Sequence, residues 1–328
     1  MSRRGLGHGT GRRVGRRLWG ALVALCGLVG VAAAEGPGAG IVERARLEVA
    51  PGGKAFEQIT IENPLGDVIV EGYDGTSILI ETKKAAPDQD ALERLRISLV
   101  PNPDGTVRIS TTADGGREVR PLARSAVRID LVVRAPRDAR IDAAVSSGKL
   151  EVVNMDAGGE LDTASGPISV RNVAGGLSTH SVTGPTSLAQ VFGSVDAQTI
   201  SSDLELDTIG GERLVAYANR GKIAGRRVRA RHVELTTTDG GIVLEAETAL
   251  HGRLIVASLK GDVEVRLRRQ GPVAIRARGG KVDLGSATLV AHRDGWVHGQ
   301  LGQLLSGSRP AVVELRSRYG FVQLTVVD

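Results

Sequence analysis

The sequence predicts an all-β fold, a single-chain β-solenoid that is parallel β-helix-like, with about 18–21 residues per turn. Three observations lead to this fold class. A glycine returns at that interval, short runs of alternating apolar residues flank it on both sides, and no helical periodicity persists along the chain. The glycine positions are Gly148, Gly166, Gly184, Ser202 in the glycine slot, Gly221, Gly240, Gly261, Gly280 and Gly320.

Each turn carries two predicted strands. Apolar residues lie two and four positions after the glycine, as in Leu150 and Val152, and again seven and five positions before it, as in Leu254 and Val256. Whether a third short strand exists is left open. The residue three positions before the glycine is small, which indicates a corner, and glycine would supply the backbone freedom for the bend.

Hydroxyl residues recur in that small-residue slot, in successive turns. Stacked near the strand spacing of about 4.8 Å, they would satisfy polar groups under the corner. The alternative is a row of nucleophiles or ligand contacts. The residues are Thr163, Ser181, Thr199, Thr237, Ser258 and Ser317.

Residues 1–34 are predicted to be a signal peptide. Six arginines precede the apolar run 18–31, and Ala32 to Ala34 offer a small-residue cleavage site, so the mature chain would begin near Glu35 and be periplasmic or extracellular. Two alternatives stay open: the apolar run is retained as an anchor, or Cys26 is lipidated. The pair Arg16 and Arg17 also resembles a twin-arginine export signal.

Residues 35–135 are predicted to form a β-rich N-terminal cap section with irregular strand spacing, which covers the first edge of the stack. One short helix is expected over 88–96, after Pro87. The repetitive β-solenoid then occupies 136–328, continuous with the cap section as one domain, and the turn over 296–307 departs from the repeat. The strands expected in the cap section are 55–62, 67–71, 77–83, 95–100, 107–112 and 127–133.

Charge and cysteine content exclude two classes of function. The leader holds 6 of the 42 Lys plus Arg and none of the 37 Asp plus Glu, which leaves 36 against 37 in the mature chain. Because the mature chain is nearly neutral, its net charge gives no reason to expect nucleic-acid binding. The only cysteine is Cys26, in the leader, so the mature chain has no thiol or disulfide chemistry.

Several segments resemble the putative-adhesin family of bacterial exported β-strand-repeat proteins. They are GDVIVEGYDG from Gly66, the run ending in APRDARIDAAVSSGKLEV, and the repeats TASGPISV, TTDGGIVL, SLKGDVEV and RSRYGFVQL. The resemblance covers nearly all of the mature chain. It implies a β-solenoid and an envelope setting, and it brings no catalytic residue.

No catalytic residue, metal site or cofactor is expected from the sequence. The histidines are scattered, and His180 and Ser181 point to opposite faces of a strand, so they cannot pair as base and nucleophile. Acidic residues follow several turn glycines one at a time, which favours turn capping over a calcium site. They are Asp67, Asp203, Asp262 and Asp283.

One basic cluster is the predicted binding surface. Three alternate arginines in RRVRARH share an outer face, and arginines of later turns, among them Arg253, Arg266, Arg268, Arg269, Arg276 and Arg278, would extend them into a stripe. Glutamates interleave with these arginines and would neutralise much of their charge, which argues against a binding stripe. The residues predicted to bind are Arg227, Arg229, Arg231, Arg266 and Arg268.

These observations favour a non-enzymatic exported protein that serves as a binding or structural module at the bacterial cell envelope. The expected partner is an anionic envelope polymer, a lipid surface or another envelope protein, with no nucleic acid. Two alternatives stay open: a glycan-processing β-helix enzyme, either a lyase or a hydrolase, and a self-assembling envelope scaffold. The sequence leaves the oligomeric state open.

Overall fold

The computed structural model describes residues 30–33, 40–113, 127–293, 295–303 and 309–327, with only the backbone described at 30–33 and 290–293. The predicted signal peptide therefore lies outside the described residues, apart from the backbone of Gly30–Ala33. Cys26 lies outside them as well. Within the described ranges, no helix has the length and apolar character needed to cross a bilayer.

The cap section is built of strands and one short helix, and the six strands expected there are confirmed. Strand β1, Gly30–Ala33, precedes the cap section. The elements of the cap section are β2 Ile41–Val49, β3 Gln58–Asn63, β4 Val68–Tyr73, β5 Ile78–Ala86, α1 Gln89–Glu93, β6 Leu95–Pro101, β7 Thr106–Ala113 and β8 Arg128–Pro136. The helix is shorter than predicted. Asp88 caps it by accepting from the Ala91 N–H at 2.7 Å, and it ends early because Leu95 already belongs to β6.

The repetitive section continues with strands at the predicted period. They are β9 Arg140–Val145, β10 Leu150–Met155, β11 Gly158–Thr163, β12 Ile168–Ala174, β13 Gly176–Ser181, β14 Thr186–Thr199, β15 Leu204–Arg220, β16 Ile223–Asp239, β17 Ile242–Thr248, β18 Arg253–Ser258, β19 Val263–Arg269, β20 Val273–Arg278, β21 Lys281–Asp283, β22 Thr288–Arg293, β23 Trp296–Leu301, β24 Ala311–Ser317 and β25 Phe321–Val327.

Equivalent strands of successive turns pair in parallel and form two facing sheets. Sheet 1 holds the strands after each glycine, for example β10, β12, β17 and β19. Sheet 2 holds the strands before it, for example β9, β11, β13 and β18. The long strands β14 to β16 run through both sheets, and their alternate apolar residues fill the space between them. The predicted fold class is thus confirmed.

Strands of sheet 1 turn toward sheet 2 at residues in the left-handed backbone region. This conformation is unfavourable for residues other than glycine, yet it recurs in five successive turns, always at the same place in the turn. Asn172 Nδ2 also donates to Asn154 Oδ1 at 2.7 Å, so some of these corner side chains bond along the stack. The residues are Asn154, Asn172, Gln190, Thr208 and Arg227, with φ between 52° and 62°.

The turns are not stacked in chain order at the ends of the solenoid. Strands β24 and β25 pair with β18 and β19 on one side and with β20 and β21 on the other, so the last turn is inserted between two earlier ones. Likewise β3 lies between β7 and β9, and β4 lies between β8 and β10. Antiparallel strands cover part of each end: β5 pairs with β8, and β23 pairs with β20.

The turn glycines are required for close approach of the backbone rather than for the bend. A Cβ on Gly166 would overlap the carbonyl oxygen of Gly148 in the preceding turn, and the same holds for Gly184 above Gly166. Most of these glycines have φ outside the positive region, so the expected reason is wrong. Steric exclusion by the neighbouring turn requires glycine at most of these positions; Gly280, where an added Cβ would lie 3.4 Å from the nearest atom, is an exception.

The hydroxyl residues stack in register under the glycine corner, as predicted. Their hydrogen bonds go to glycine backbone rather than to one another in a continuous row. Ser258 Oγ donates to the Gly240 carbonyl at 3.0 Å and accepts from the Gly261 N–H at 2.7 Å. They satisfy buried backbone groups, which accounts for them as corner residues.

Aspartates after the glycines cap the next turn. Asp203 Oδ1 accepts from the Lys222 N–H at 2.8 Å, and two further aspartates repeat this bond across turns. Where Pro167 and Pro185 occupy the same position, no N–H exists to be satisfied. The other bonds are Asp67 to Lys149 at 2.8 Å, Asp262 to Phe321 at 2.9 Å, and Asp283 to Gly285 within its own turn at 2.9 Å.

Candidate functional site

The outer face of sheet 2 is the candidate site because it carries three adjoining grooves. Alternate residues of its strands point outward, and parallel register stacks them into columns. One column changes from acidic through neutral to basic over roughly 34 Å, at about 4.8 Å per strand. Its members are Asp162, His180, Gln198, Tyr217, Thr236, Ala257, Arg316 and Arg278.

The basic end of this column is a groove of about 700 Å³. Arg278 and Arg316 lie directly opposite each other on neighbouring strands, and Arg318 joins them at the turn. All three are exposed, and none forms an ion pair among the described residues. Like charges placed opposite in a sheet are unfavourable, so this arrangement suits an anionic ligand better than it suits folding stability.

Hydroxyl groups and an aromatic ring accompany the three arginines. Thr236 and Thr238 line the same groove, where they can exchange hydrogen bonds with an oxygen-rich ligand. The Arg318 guanidinium lies 5.3 Å from the centroid of the Tyr319 ring, and Tyr319 is 66% exposed. An exposed aromatic beside arginines is a suitable platform for a sugar ring or another flat group.

The middle of the face is apolar and exposed. Val182, Ile200 and Tyr217 have 44%, 47% and 38% of their surface accessible, and they line a groove of about 380 Å³. Tyr217 Oη lies 3.5 Å from Thr238 Oγ1, which connects this groove to the basic one. A third groove of about 440 Å³ includes Arg213, Glu234 and Arg253 on the same sheet.

The acidic end brings together Glu160, Asp162 and His180, whose ligand atoms all lie within 4.8 Å of one another. Burial raises the pKa of Asp162; nearby His180 lowers it, and the negative charges of Glu160 and Asp142 raise it further. The carboxylate is therefore less stable in its charged form than it would be in water.

Ser178, His180 and Asp162 have the composition of a catalytic triad but not its contacts. Ser178 Oγ lies 3.2 Å from His180 Nε2, whereas no hydrogen bond or ion pair joins Asp162 to His180 in the described structure. Ser181 is buried and donates to the Gly184 carbonyl, so His180 and Ser181 point apart as the sequence predicted. The donor set suits a cation better than acyl transfer, which requires an oriented imidazole.

The five arginines predicted from the sequence lie outside sheet 2's outer face, and acids interleave with them. Arg227 pairs with Asp207 at the corner, Arg229 with Glu247 at 3.0 Å and Arg231 with Glu212 at 3.6 Å. All three are exposed. The other two, Arg266 and Arg268, point outward on sheet 1, where Glu245 and Glu247 are their neighbours in register.

Sequence reasoning selected Arg278 among the later arginines but missed Arg316, Arg318 and the acidic cluster. The glycine repeat of the sequence contains a signal for both Arg316 and the acidic cluster. His180 follows Asp162 by one turn, and Arg316 holds the same place before Gly320 that Asp162 holds before Gly166. Arranging the outward residues by turn would have placed them in one column.

The fold is a parallel β-solenoid, and the outer face of its sheet 2 carries the grooves. The chain belongs to the Toastrack DUF4097 family, whose sequence profile matches residues 56–290. This match confirms the resemblance to a putative-adhesin family. No curated protein gives a significant match.

Several solved structures of bacterial proteins are similar to the chain. A putative cell adhesion protein of Clostridium sporogenes ATCC 15579 has 12% identity and a TM-score of 0.25, with 87% of this chain and 100% of that chain covered. A putative lipid binding protein of Parabacteroides distasonis ATCC 8503 has 12% identity and a TM-score of 0.42, with 87% and 97% covered. A putative adhesin of Bacteroides fragilis NCTC 9343 has 11% and 0.33, with 87% and 97% covered. Similarity at this level transfers no function to the chain.

Proposed function

We propose that this chain is a non-enzymatic, exported binding module of the bacterial cell envelope that holds an anionic polymer in the basic groove of sheet 2. One observation carries the proposal: Arg278 and Arg316 face each other without an acidic partner in the described structure. Folding alone gains nothing from this pair, whereas a bound anion would neutralise it.

The rest of the groove supports a polymer rather than a small anion. Its basic end continues into the exposed apolar patch around Tyr217, and the two grooves lie on one face. Exposed Tyr319 next to Arg318 offers a stacking surface for a sugar. The export part of the proposal depends on the predicted signal peptide.

The arginines predicted from the sequence, Arg227 to Arg231 with Arg266 and Arg268, are a second candidate contact. Acidic neighbours offset much of their charge, so the geometry favours the sheet 2 groove as the primary site. Both surfaces can be tested in one assay.

The test is sedimentation of the purified protein with polygalacturonate, a carboxylate polymer, and with inorganic polyphosphate. Replacing Arg316 and Arg318 together by Ala should weaken binding by about tenfold or more, because each charged hydrogen bond is worth about 1.5–3 kcal/mol. The matched control replaces Arg96 and Arg171, two exposed arginines elsewhere without an ion pair in the described structure, and should retain binding.

The charge-reversal variant of Arg227, Arg229 and Arg231 to Glu decides between the two surfaces. If it abolishes binding while R316A/R318A does not, the sheet 2 groove is the wrong site. Chain-length analysis of the recovered polymer separates binding from cleavage, and sedimentation velocity of the protein alone detects self-assembly.

A further inference from the structure

We propose that Glu160, Asp162 and His180 bind a divalent transition-metal ion of the zinc class. Their ligand atoms converge within 4.8 Å. The site lies at the acidic end of the outward column, several strands away from the arginine groove, so this inference goes beyond the proposed function and does not depend on it.

Strand geometry alone brings the three side chains together. Glu160 and Asp162 alternate along β11 and therefore share its outer face. His180 lies directly opposite Asp162 on the paired strand β13. The ligands thus rest on a rigid hydrogen-bonded sheet, where a metal site can be held without a mobile loop.

The local charge balance leaves room for a cation. Asp142 lies directly opposite Glu160, but it is already engaged by Arg140 at 3.1 Å and by Gln58 at 2.5 Å. The carboxylates of Glu160 and Asp162 have no hydrogen-bond or ion-pair partner in the described part of the chain. Carboxylates that lie opposite each other on neighbouring strands repel, and a bound cation would offset this repulsion.

The donor set points to a zinc-class ion rather than to calcium or magnesium. Imidazole nitrogen and carboxylate oxygen are both zinc ligands, whereas calcium and magnesium prefer oxygen alone. Ser178 Oγ, 3.2 Å from His180 Nε2, can orient the ring from the outer shell. Asp162 and His180 also line the apolar groove, so a fourth coordination position faces an accessible cavity.

Zinc binding to the purified, untagged protein tests the proposal, measured by calorimetry with zinc chloride alone. We expect one zinc ion per chain and at least a tenfold loss of affinity in Asp162→Asn and in His180→Gln. The control is His232→Gln, an exposed histidine of the same sheet with one acid, Glu212, 3.6 Å away, and it should bind as the wild type does.

Two further measurements separate loss of metal binding from loss of folding. Cobalt(II) should give a visible absorption spectrum in the wild type that Asp162→Asn lacks, and thermal unfolding without metal reports whether each variant folds. Absence of saturable zinc binding, equal affinity in folded Asp162→Asn, or equal competition by magnesium would each overturn the proposal.

Discussion

At the scale of single residues, most turn glycines are required because a carbonyl oxygen of the neighbouring turn occupies the space of a Cβ. A Cβ on Gly166 would overlap the Gly148 oxygen, whereas a Cβ on Gly176 would meet nothing within 4 Å. Gly166→Ala should therefore lower the free energy of unfolding by about 1–3 kcal/mol, and Gly176→Ala should leave it nearly unchanged. Urea unfolding of the two variants measures this. Equal stability would contradict the steric account.

The charge of Asp162 is a second residue-scale feature with a stability consequence. Its pKa is raised by burial, with His180 opposing and Glu160 and Asp142 adding to the rise, so the folded state disfavours the charged form. Because Asp162 is only partly buried and solvent screens its charge, Asp162→Asn should raise the unfolding free energy of the metal-free protein near neutral pH by no more than about 1 kcal/mol.

A matched aspartate should behave in the opposite way. Hydrogen bonding to Arg137 lowers the pKa of Asp156, and the two side chains form a bidentate pair at 2.9 and 3.1 Å. Asp156→Asn should give no gain in stability. Thermal unfolding of both variants at neutral pH compares them, and a gain in Asp156→Asn equal to that in Asp162→Asn would count against the charge argument.

At the scale of elements, the turns are joined by aspartate caps that act across strands. Asp203 satisfies the Lys222 N–H, which would otherwise lack a partner at the corner. Asp203→Ala should cost about 0.5–1.5 kcal/mol, while Asp203→Asn, which keeps an acceptor oxygen, should cost less. Calcium should leave the melting temperature of the wild type unchanged. A calcium-induced rise that Asp203→Ala abolishes would favour a metal role instead.

The strands could be predicted from the sequence because alternation and period are local properties. The cap strands over 55–62 and 127–133, and the regular turns, coincide with observed elements. What sequence could not give was the order of turns at the ends, because parallel strands of many turns have nearly equal apolar faces and only packing selects their neighbours. The site is an intermediate case: the repeat period relates Asp162 to His180, but only the strand register shows that the two side chains lie directly opposite each other.

At the scale of the whole molecule, the last turn stabilises the C-terminal end. Since β24 and β25 are inserted between earlier turns, their removal would leave β20 and β21 without parallel partners. A chain ending at residue 303 should lose protection over 270–303 in limited proteolysis while 140–260 stays protected. Unchanged protection of 270–303 would contradict the inserted arrangement.

The distribution of charge along sheet 2 gives the molecule its proposed role. Asp162 and Arg278 mark opposite ends of one column, with exposed apolar residues between them. A rigid solenoid presents this column as one fixed surface, which suits an extended partner.

The most direct measurement is the salt dependence of polygalacturonate binding by the wild type and by the triple variant Arg278→Ala, Arg316→Ala, Arg318→Ala. We expect the wild type to bind tightly at low salt and to lose affinity steeply as the salt concentration rises. The variant should retain only weak binding that is nearly independent of salt. Equal affinities and equal salt dependence of the two proteins would contradict the assignment of the groove as the anion-binding site.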